Sequence, residues 1–267
     1  MGLGFIVCGV GGRMGGAVVR GIKETPGVEL AAAIDKPDSA RIGKDAGEIS
    51  AAGPLRVQVV SDISPYLKPN RVIVDFTNAE ASMGYLRAAA VKRVPIVIGT
   101  TGFTQEQLEE IQKLSVQTPI IVAANTSLGV NLLVNLVGEA AKKLGDDYDL
   151  EIIEAHHRFK KDAPSGTALA MGKAIADGLK REFNEVAING RKGNVGERGK
   201  KDIALLSVRA GDIVGEHTII FGGIGERLEF IHRAHSRDTF ARGAIRAAQW
   251  LATQKPGFYG MKDVLGL

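Results

Sequence analysis

The chain has 267 residues, 45% of them hydrophobic and 34 of them glycine, with a formal net charge of +4 at pH 7. That is chain enough for one large or two ordinary domains, each with its own core. No run of eighteen apolar residues occurs, so no transmembrane helix and no membrane association are expected. The single cysteine, Cys8, can make neither an internal disulfide nor a Cys-based zinc site; it reads as a small core residue in a reducing, cytoplasmic setting.

In chain order, the opening stretch MGLGFIVCGVGG lacks a charged leader and reads as a first strand, residues 3–8, rather than as a signal peptide. A glycine turn follows, GVGGRMGG at 9–16, and then an apolar helical pattern through Val18, Val19 and Ile22. The spacing is GxxGxxG, at Gly9, Gly12 and Gly15. Glycines there let a backbone approach a pyrophosphate, and the helix start contributes N–H groups and partial positive charge. A second strand, 28–34, ends at Asp35, where a ribose hydroxyl is usually held; Lys36 next to it could face a 2′-phosphate. Residues 36–56 form a long Gly/Ala/Asp-rich connection, read as mobile or functional. Buried parallel strands are expected at 57–60, 71–76, 95–99 and 119–125. Helices are expected from Asn78 to Lys92, capped by Asn78, and from Thr104 to Val116, with Thr104 and Gln107 as a capping box. The alternation predicts a doubly wound parallel sheet, with ligands beyond the carboxyl ends of its strands. Gly99, Thr100 and Thr101 lie at one such end, and Ala123, Ala124, Asn125 and Thr126 at another.

Beyond Asn125 the pattern changes. A long helix, 130–144, leads to a strand at 148–155, a polar cluster, and a helix at 167–181. Alternating strands near 203–209, 217–222 and 226–233 predict a sheet with one solvated face. A second, α+β domain therefore begins near residue 127. Between its helix and strands lies GRKGNVGERGK, 190–200, which reads as a flexible arm. Residues 191–201 carry Arg191, Lys192, Arg198, Lys200 and Lys201 against Glu197, an excess equal to that of the whole chain. The segment has no aromatic residue to stack on bases, so attraction for a small anion explains it better than nucleic acid does.

The polar cluster is the chemically dense part: EIIEAHHRFKKDAPSGTALA, Glu151–Ala170. Ser165 is a natural N-cap, and Gly166 and Thr167 open the helix behind it, an end suited to carboxylates. His156, His157, Arg158, Lys160 and Lys161 stand just upstream. Taken alone, such a run could be a solvated loop before an ordinary helix; the paired His, the Lys and the capped Ser-Gly-Thr together favour a site. No metal-ligand set is recognisable in it.

Glu151–Ala170, GVGGRMG at 9–15 and RAGDIVGEHT at 209–218 resemble the dihydrodipicolinate reductase family, the 4-hydroxy-tetrahydrodipicolinate reductases of bacterial and plant lysine and diaminopimelate biosynthesis. The likeness runs from the first strand to the final segment. It implies a Rossmann-type domain at 1–126 completed by 237–267, and a substrate-binding and tetramerisation domain at 127–236 that builds a homotetramer. It also implies reduction of a cyclic imine dicarboxylate by NADH or NADPH. Carried over by position, the cofactor contacts are Gly9, Val10, Gly11, Gly12, Arg13, Met14, Asp35, Lys36, Gly99, Thr100, Thr101, Ala123, Ala124, Asn125 and Thr126. His156 is then the proton donor and Lys160 a second donor, with His157, Gly166 and Thr167 on the substrate. Asp35 and Lys36 stand where members often have Glu and Arg, and Phe159 receives no role.

The chemistry agrees with this assignment. A dicarboxylate needs two cationic or amide seats, one from Gly166 and Thr167 and one from His157 and Lys160. Hydride addition builds negative charge that a proton must neutralise, and a histidine of ordinary pKa donates near neutrality with little adjustment. Two other readings remain: another NAD(P) dehydrogenase of a small anion, and a dinucleotide-sensing regulator that would not need the His156/Lys160 pair.

Overall fold

The computed structural model describes residues 2–267. Its elements in chain order are β1 (Leu3–Cys8), α1 (Arg13–Glu24), β2 (Val28–Ile34), α2 (Ala46–Ile49), β3 (Val59–Val60), β4 (Arg71–Asp75), α3 (Ala79–Lys92), β5 (Ile96–Ile98), α4 (Gln105–Leu114) and β6 (Pro119–Val122). There follow α5 (Leu128–Leu144), β7 (Asp149–His156), α6 (Gly166–Gly178), α7 (Phe183–Val186), β8 (Ala187–Asn189), β9 (Ile203–Arg209), β10 (Gly215–Gly222) and β11 (Arg227–Ala234). The chain ends with α8 (Asp238–Leu251), β12 (Gly257–Tyr259) and α9 (Met261–Leu265). They fall into two compact units, residues up to Leu128 with Arg237–Leu267, and Gly129–Ser236.

In the first unit, seven strands among the described residues form a sheet of order β12-β6-β5-β4-β1-β2-β3, parallel throughout. Its central strands are runs of Val, Ile and Phe because both faces are covered. Phe5 and Val7 pack into a layer with Val18, Ile22, Ile245 and Leu251 of α1 and α8. Ile6 and Cys8, pointing the other way, join Leu86 and Ile111 of α3 and α4. Cys8 is buried, as a core residue should be. Helix starts follow the local chemistry: Asn78 accepts the Ala81 N–H at 3.0 Å, and Thr104 and Gln107 form the reciprocal capping box. α8 lies close against this unit. A methyl on Gly21 of α1 would stand 2.7 Å from Ile245 Cδ1, and one on Gly243 would overlap the Thr126 carbonyl.

The connection at 36–56, read as mobile or functional, is tied down by local bonds. Asp45 Oδ1 accepts the N–H groups of Gly47, Glu48 and Leu55 at 2.8, 3.1 and 3.1 Å, closing the short helix α2. The strand expected at 57–60 contracts to Val59–Val60, paired with β2. α7, β8, β12 and α9 are too short to carry a periodic signal and were not anticipated.

The second unit has a mixed sheet, β11-β10-β7-β9-β8, with β7, β10 and β11 antiparallel and β8 and β9 running parallel to β7. One face packs on α5 and α6, burying Val137, Ile152, Met171, Ile175, Ile219 and Phe221. Strict alternation along β10 buries Gly215, His217, Ile219 and Phe221 and turns Glu216, Thr218 and Ile220 outward. The arm at 190–200 is pinned rather than loose. Arg198 donates to Glu151, Asp149 and the carbonyls of Leu150, Gly199 and Asp202, and Arg191 grips Glu151 with two bonds. Two cations of the basic segment are thus neutralised within the fold, so the segment is not simply a lure for anions.

Candidate active site

All four glycine and loop groups expected to hold a cofactor lie at the carboxyl edge of the first unit's sheet: Gly9–Met14 after β1, Asp35 and Lys36 after β2, Gly99–Thr101 after β5, and Ala123–Thr126 after β6. Strand order reverses between β1 and β4, which opens a crevice at that edge. The turn is built without side chains because there is no room for them. Gly9 has φ +76°, a methyl on Gly15 would overlap the Gly9 carbonyl, and one on Gly11 would overlap the Asp35 carboxylate. Gly12 caps α1 without a side chain, and no acidic residue stands in the first turn. A Cβ-free cradle at a helix start fits a dinucleotide pyrophosphate.

Asp35 is oriented by Ser39, whose Oγ donates to Oδ2 at 2.8 Å. Lys36 reaches Asp38 at 3.1 Å on the surface. Arg41 was missed from the sequence: its Nη1 lies 2.8 Å from the position a Gly11 Cβ would take, beside Asp35. Asp75, the last residue of β4, was not singled out from the sequence. It is buried and accepts bonds from Thr77, Ser82 and, at 3.4 Å, Thr100. Burial pushes its pKa up while these donors pull it down. Thr126 turns its hydroxyl inward, to the Phe240 carbonyl at 2.7 Å.

In the second unit the polar cluster becomes a network. His156 ends β7 and donates from Nδ1 to Glu154 Oε2 at 2.6 Å. Glu154 is fully buried on the same strand face and is also held by Arg209 through two bonds of 2.8 Å. Burial raises the Glu154 pKa, but Arg209, Ser207 and His156 outweigh it and hold the carboxyl at about 2. Ser165 caps α6 as expected, accepting from Ala168 N at 3.1 Å, and its Oγ also meets His217 Nε2 at 3.0 Å. His217 stands edge-on to His156 with ring centroids 5.3 Å apart, and burial, assisted by His156, lowers it to about 4. The loop after β7 is fixed by Arg158 N to Gly211 O and Lys160 N to His157 O, both 3.1 Å. The His157 ring has Nδ1 buried without a protein partner.

One expectation needs correction. His156 does not keep an ordinary pKa. Burial lowers it, Glu154 pushes back, and Lys160 and Arg209 add to the lowering. Lys160, expected as a second donor, has its Nζ held by Asp162 with two bonds of 2.9 Å. Glu154, Arg209 and His217 were not singled out from the sequence. The E-x-H spacing, which puts both side chains on one face of a strand, was the available signal. Among the described residues, no three or more His, Cys, Asp or Glu side chains are grouped to hold a metal ion, and no helix is long and apolar enough to cross a membrane.

The parallel sheet with its Cβ-free turn, joined to a unit carrying a buried His–Glu pair beside a capped helix start, defines a nicotinamide-dependent oxidoreductase of the Rossmann type. Comparison with known proteins makes this particular. Residues 3–126 match the family model for the N-terminus of dihydrodipicolinate reductase and residues 129–265 that for its C-terminus. The chain belongs to the dihydrodipicolinate reductase family. It is 51% identical over 261 residues to the 4-hydroxy-tetrahydrodipicolinate reductase of Syntrophus aciditrophicus, covering 98% of this chain and 97% of that one. With the namesake of Syntrophobacter fumaroxidans it shares 48%, covering 98% of each. The solved structure of a dipicolinate-bound dihydrodipicolinate reductase from Paenisporosarcina sp. TG-14 superposes with a TM-score of 0.76, at 26% identity, over 97% of this chain and 98% of that one.

Proposed function

We propose that this chain reduces 4-hydroxy-tetrahydrodipicolinate, by way of the dehydrated imine dihydrodipicolinate, to tetrahydrodipicolinate in lysine and diaminopimelate biosynthesis. The observation that carries this is the His156–Glu154 pair, set beside a capped helix whose first residues are Gly166 and Thr167. When bound, the nicotinamide supplies the hydride. Gly9–Met14 would hold its pyrophosphate and Asp35 its adenine ribose. Lys36 and Arg41, cations close to Asp35, would attract a 2′-phosphate, so both NADH and NADPH are expected to serve.

The substrate carries two carboxylates. Gly166 and Thr167 offer one seat, at the positive end of α6. His157 and Lys160 offer the other, and the unpartnered Nδ1 of His157 suits it. His156 delivers the proton that neutralises the charge developing on the ring. A bound dianion would raise the His156 pKa and so counter the burial that lowers it. The dipicolinate ligand of the Paenisporosarcina structure is a planar dicarboxylate, in keeping with such a seat.

The outward face of the second sheet supports a homotetramer. Ile153, Leu206, Thr218 and Ile231 form one row across it, flanked by Val208 and Ile220. Val208 and Ile231 are 44% and 47% exposed in the single chain, an apolar stripe of the kind subunits bury. The test of function is direct: purified protein with NADPH or NADH and freshly made substrate should oxidise the cofactor with matching loss of absorbance at the nicotinamide band. Cofactor binding without turnover would make the protein a dinucleotide sensor instead.

A further inference from the structure

We propose that Glu154 is a positioning residue for the reduction: one buried carboxylate orients both the His156 imidazole and the start of the helix that seats the substrate. The inference deepens the reading above and rests on His156 as the proton donor.

The geometry is that of a hub. Oε2 receives His156 Nδ1 at 2.6 Å and Arg209 Nη1 at 2.8 Å; Oε1 receives the Ser165 backbone N–H at 3.2 Å and Arg209 Nη2 at 2.8 Å. Ser165 is the N-cap of α6, so the same carboxyl group ties the proton donor to the helix end that offers Gly166 and Thr167. Arg209 extends the hub, because its Nη2 also meets the Asp162 carbonyl at 2.6 Å and the Asp162 carboxylate holds Lys160. The two-bond Arg209 contact lets a buried carboxylate remain ionised, and a buried charge keeps its place only when every oxygen is satisfied.

The hub sets which nitrogen reacts. With Nδ1–H committed to Glu154, the exchangeable proton sits on Nε2. In the transfer step the Nε2–H bond breaks, its electron pair stays on the ring, and the proton goes to the reduced substrate. The ring then keeps Nδ1–H, and Glu154 stays a carboxylate throughout. Gly215 of β10 lies opposite; a methyl there would stand 3.1 Å from Nε2, so glycine leaves the nitrogen room. The charges around the ring are Glu154 on β7, Lys160 on the loop after β7 and Arg209 on β9, with His217 on β10 neutral near pH 7. Arg209 and Lys160 disfavour the imidazolium, and Glu154 favours it.

The test uses full-length protein labelled with nitrogen-15 in its histidines, with His156 assigned by the signal missing in His156→Ala. Above its pKa, wild-type His156 should be the Nδ1–H tautomer. Glu154→Gln, which keeps the shape and removes the charge, should lower kcat by about tenfold or more. It should also move the alkaline fall of kcat to lower pH by about one unit, because the imidazolium loses its anion. KM for the nicotinamide cofactor should stay within about twofold, since Glu154 touches only the substrate side. A wild-type Nε2–H tautomer, or a folded Glu154→Gln enzyme with unaltered kcat and pH profile, overturns the proposal. If Glu154→Gln does not fold, the wild-type tautomer decides alone. An Nδ1–H tautomer together with undiminished kcat in His156→Ala would instead refute the donor assignment and leave the hub standing.

Discussion

At the scale of the residue, the proposed chemistry rests on His156 and the proposed specificity on a few cations. Positioned general acids contribute about 10²–10⁴-fold in rate, so His156→Ala should lower kcat within that range and change KM little, as steady-state kinetics will show. Burial holds the His156 pKa below its usual value, so in kcat/KM, which reports the free enzyme, activity should fall as pH rises through a midpoint under about 6.5. Lys36→Ala should weaken NADPH and spare NADH if, as proposed, Asp35 takes the free diol and Lys36 the extra phosphate. Titration of each cofactor by nicotinamide fluorescence checks this, and equal loss of both would place Lys36 away from the 2′ position. Asp35, Lys36 and His156 could be picked out as candidates because each sits at a fixed offset from a motif. Glu154 was not: an acidic residue on a strand can face either way, and its partner Arg209 is 55 positions distant.

At the scale of the element, caps and glycines do the positioning. Ser165, Asn78 and Thr104 announced their helices because the capping bond each accepts spans three residues. α8 is different. Its sequence shows an amphipathic helix and says nothing of the partner, which turns out to be α1 and the backbone at Thr126. Gly243→Ala should therefore destabilise the protein by about 1–3 kcal/mol, toward the upper end because the obstructing atom is a backbone carbonyl. Urea unfolding followed by circular dichroism measures it. The pinned arm at 190–200 teaches the same lesson in reverse: its glycines suggested freedom, and the Arg198 contacts to Glu151 and Asp149 removed it.

At the scale of the whole molecule, two properties should appear in solution. The Glu154 carboxyl is depressed from 4.5 to about 2 in the folded state. A depressed acid contributes stability that is present in full above the unfolded pKa and is lost as pH falls through the folded one, so the loss here runs from about pH 4.5 down to about 2. It amounts to roughly 3 kcal/mol. Acid unfolding of Glu154→Gln, followed beside wild type, should lack that part of the slope. The second property is assembly. Ile231→Lys puts a charge in the apolar row of the outward sheet face, and sedimentation velocity should show a tetramer giving way to smaller species. Unchanged sedimentation would place the interface elsewhere.

The sequence by itself determined the alternation of strands and helices, the glycine turn after β1, the helix caps and the family. These are signals made by residues a few positions apart, whose geometry is settled before the chain closes on itself. Only the tertiary structure decided that β12 joins the edge of the first unit's sheet, that Asp45 ties down the 36–56 connection, and that Arg209 and Ser165 meet Glu154 and His217 meets Ser165. Those last contacts join residues from 11 to more than 50 positions apart. They form because burial of a carboxylate demands that every oxygen find a donor, wherever in the chain that donor lies.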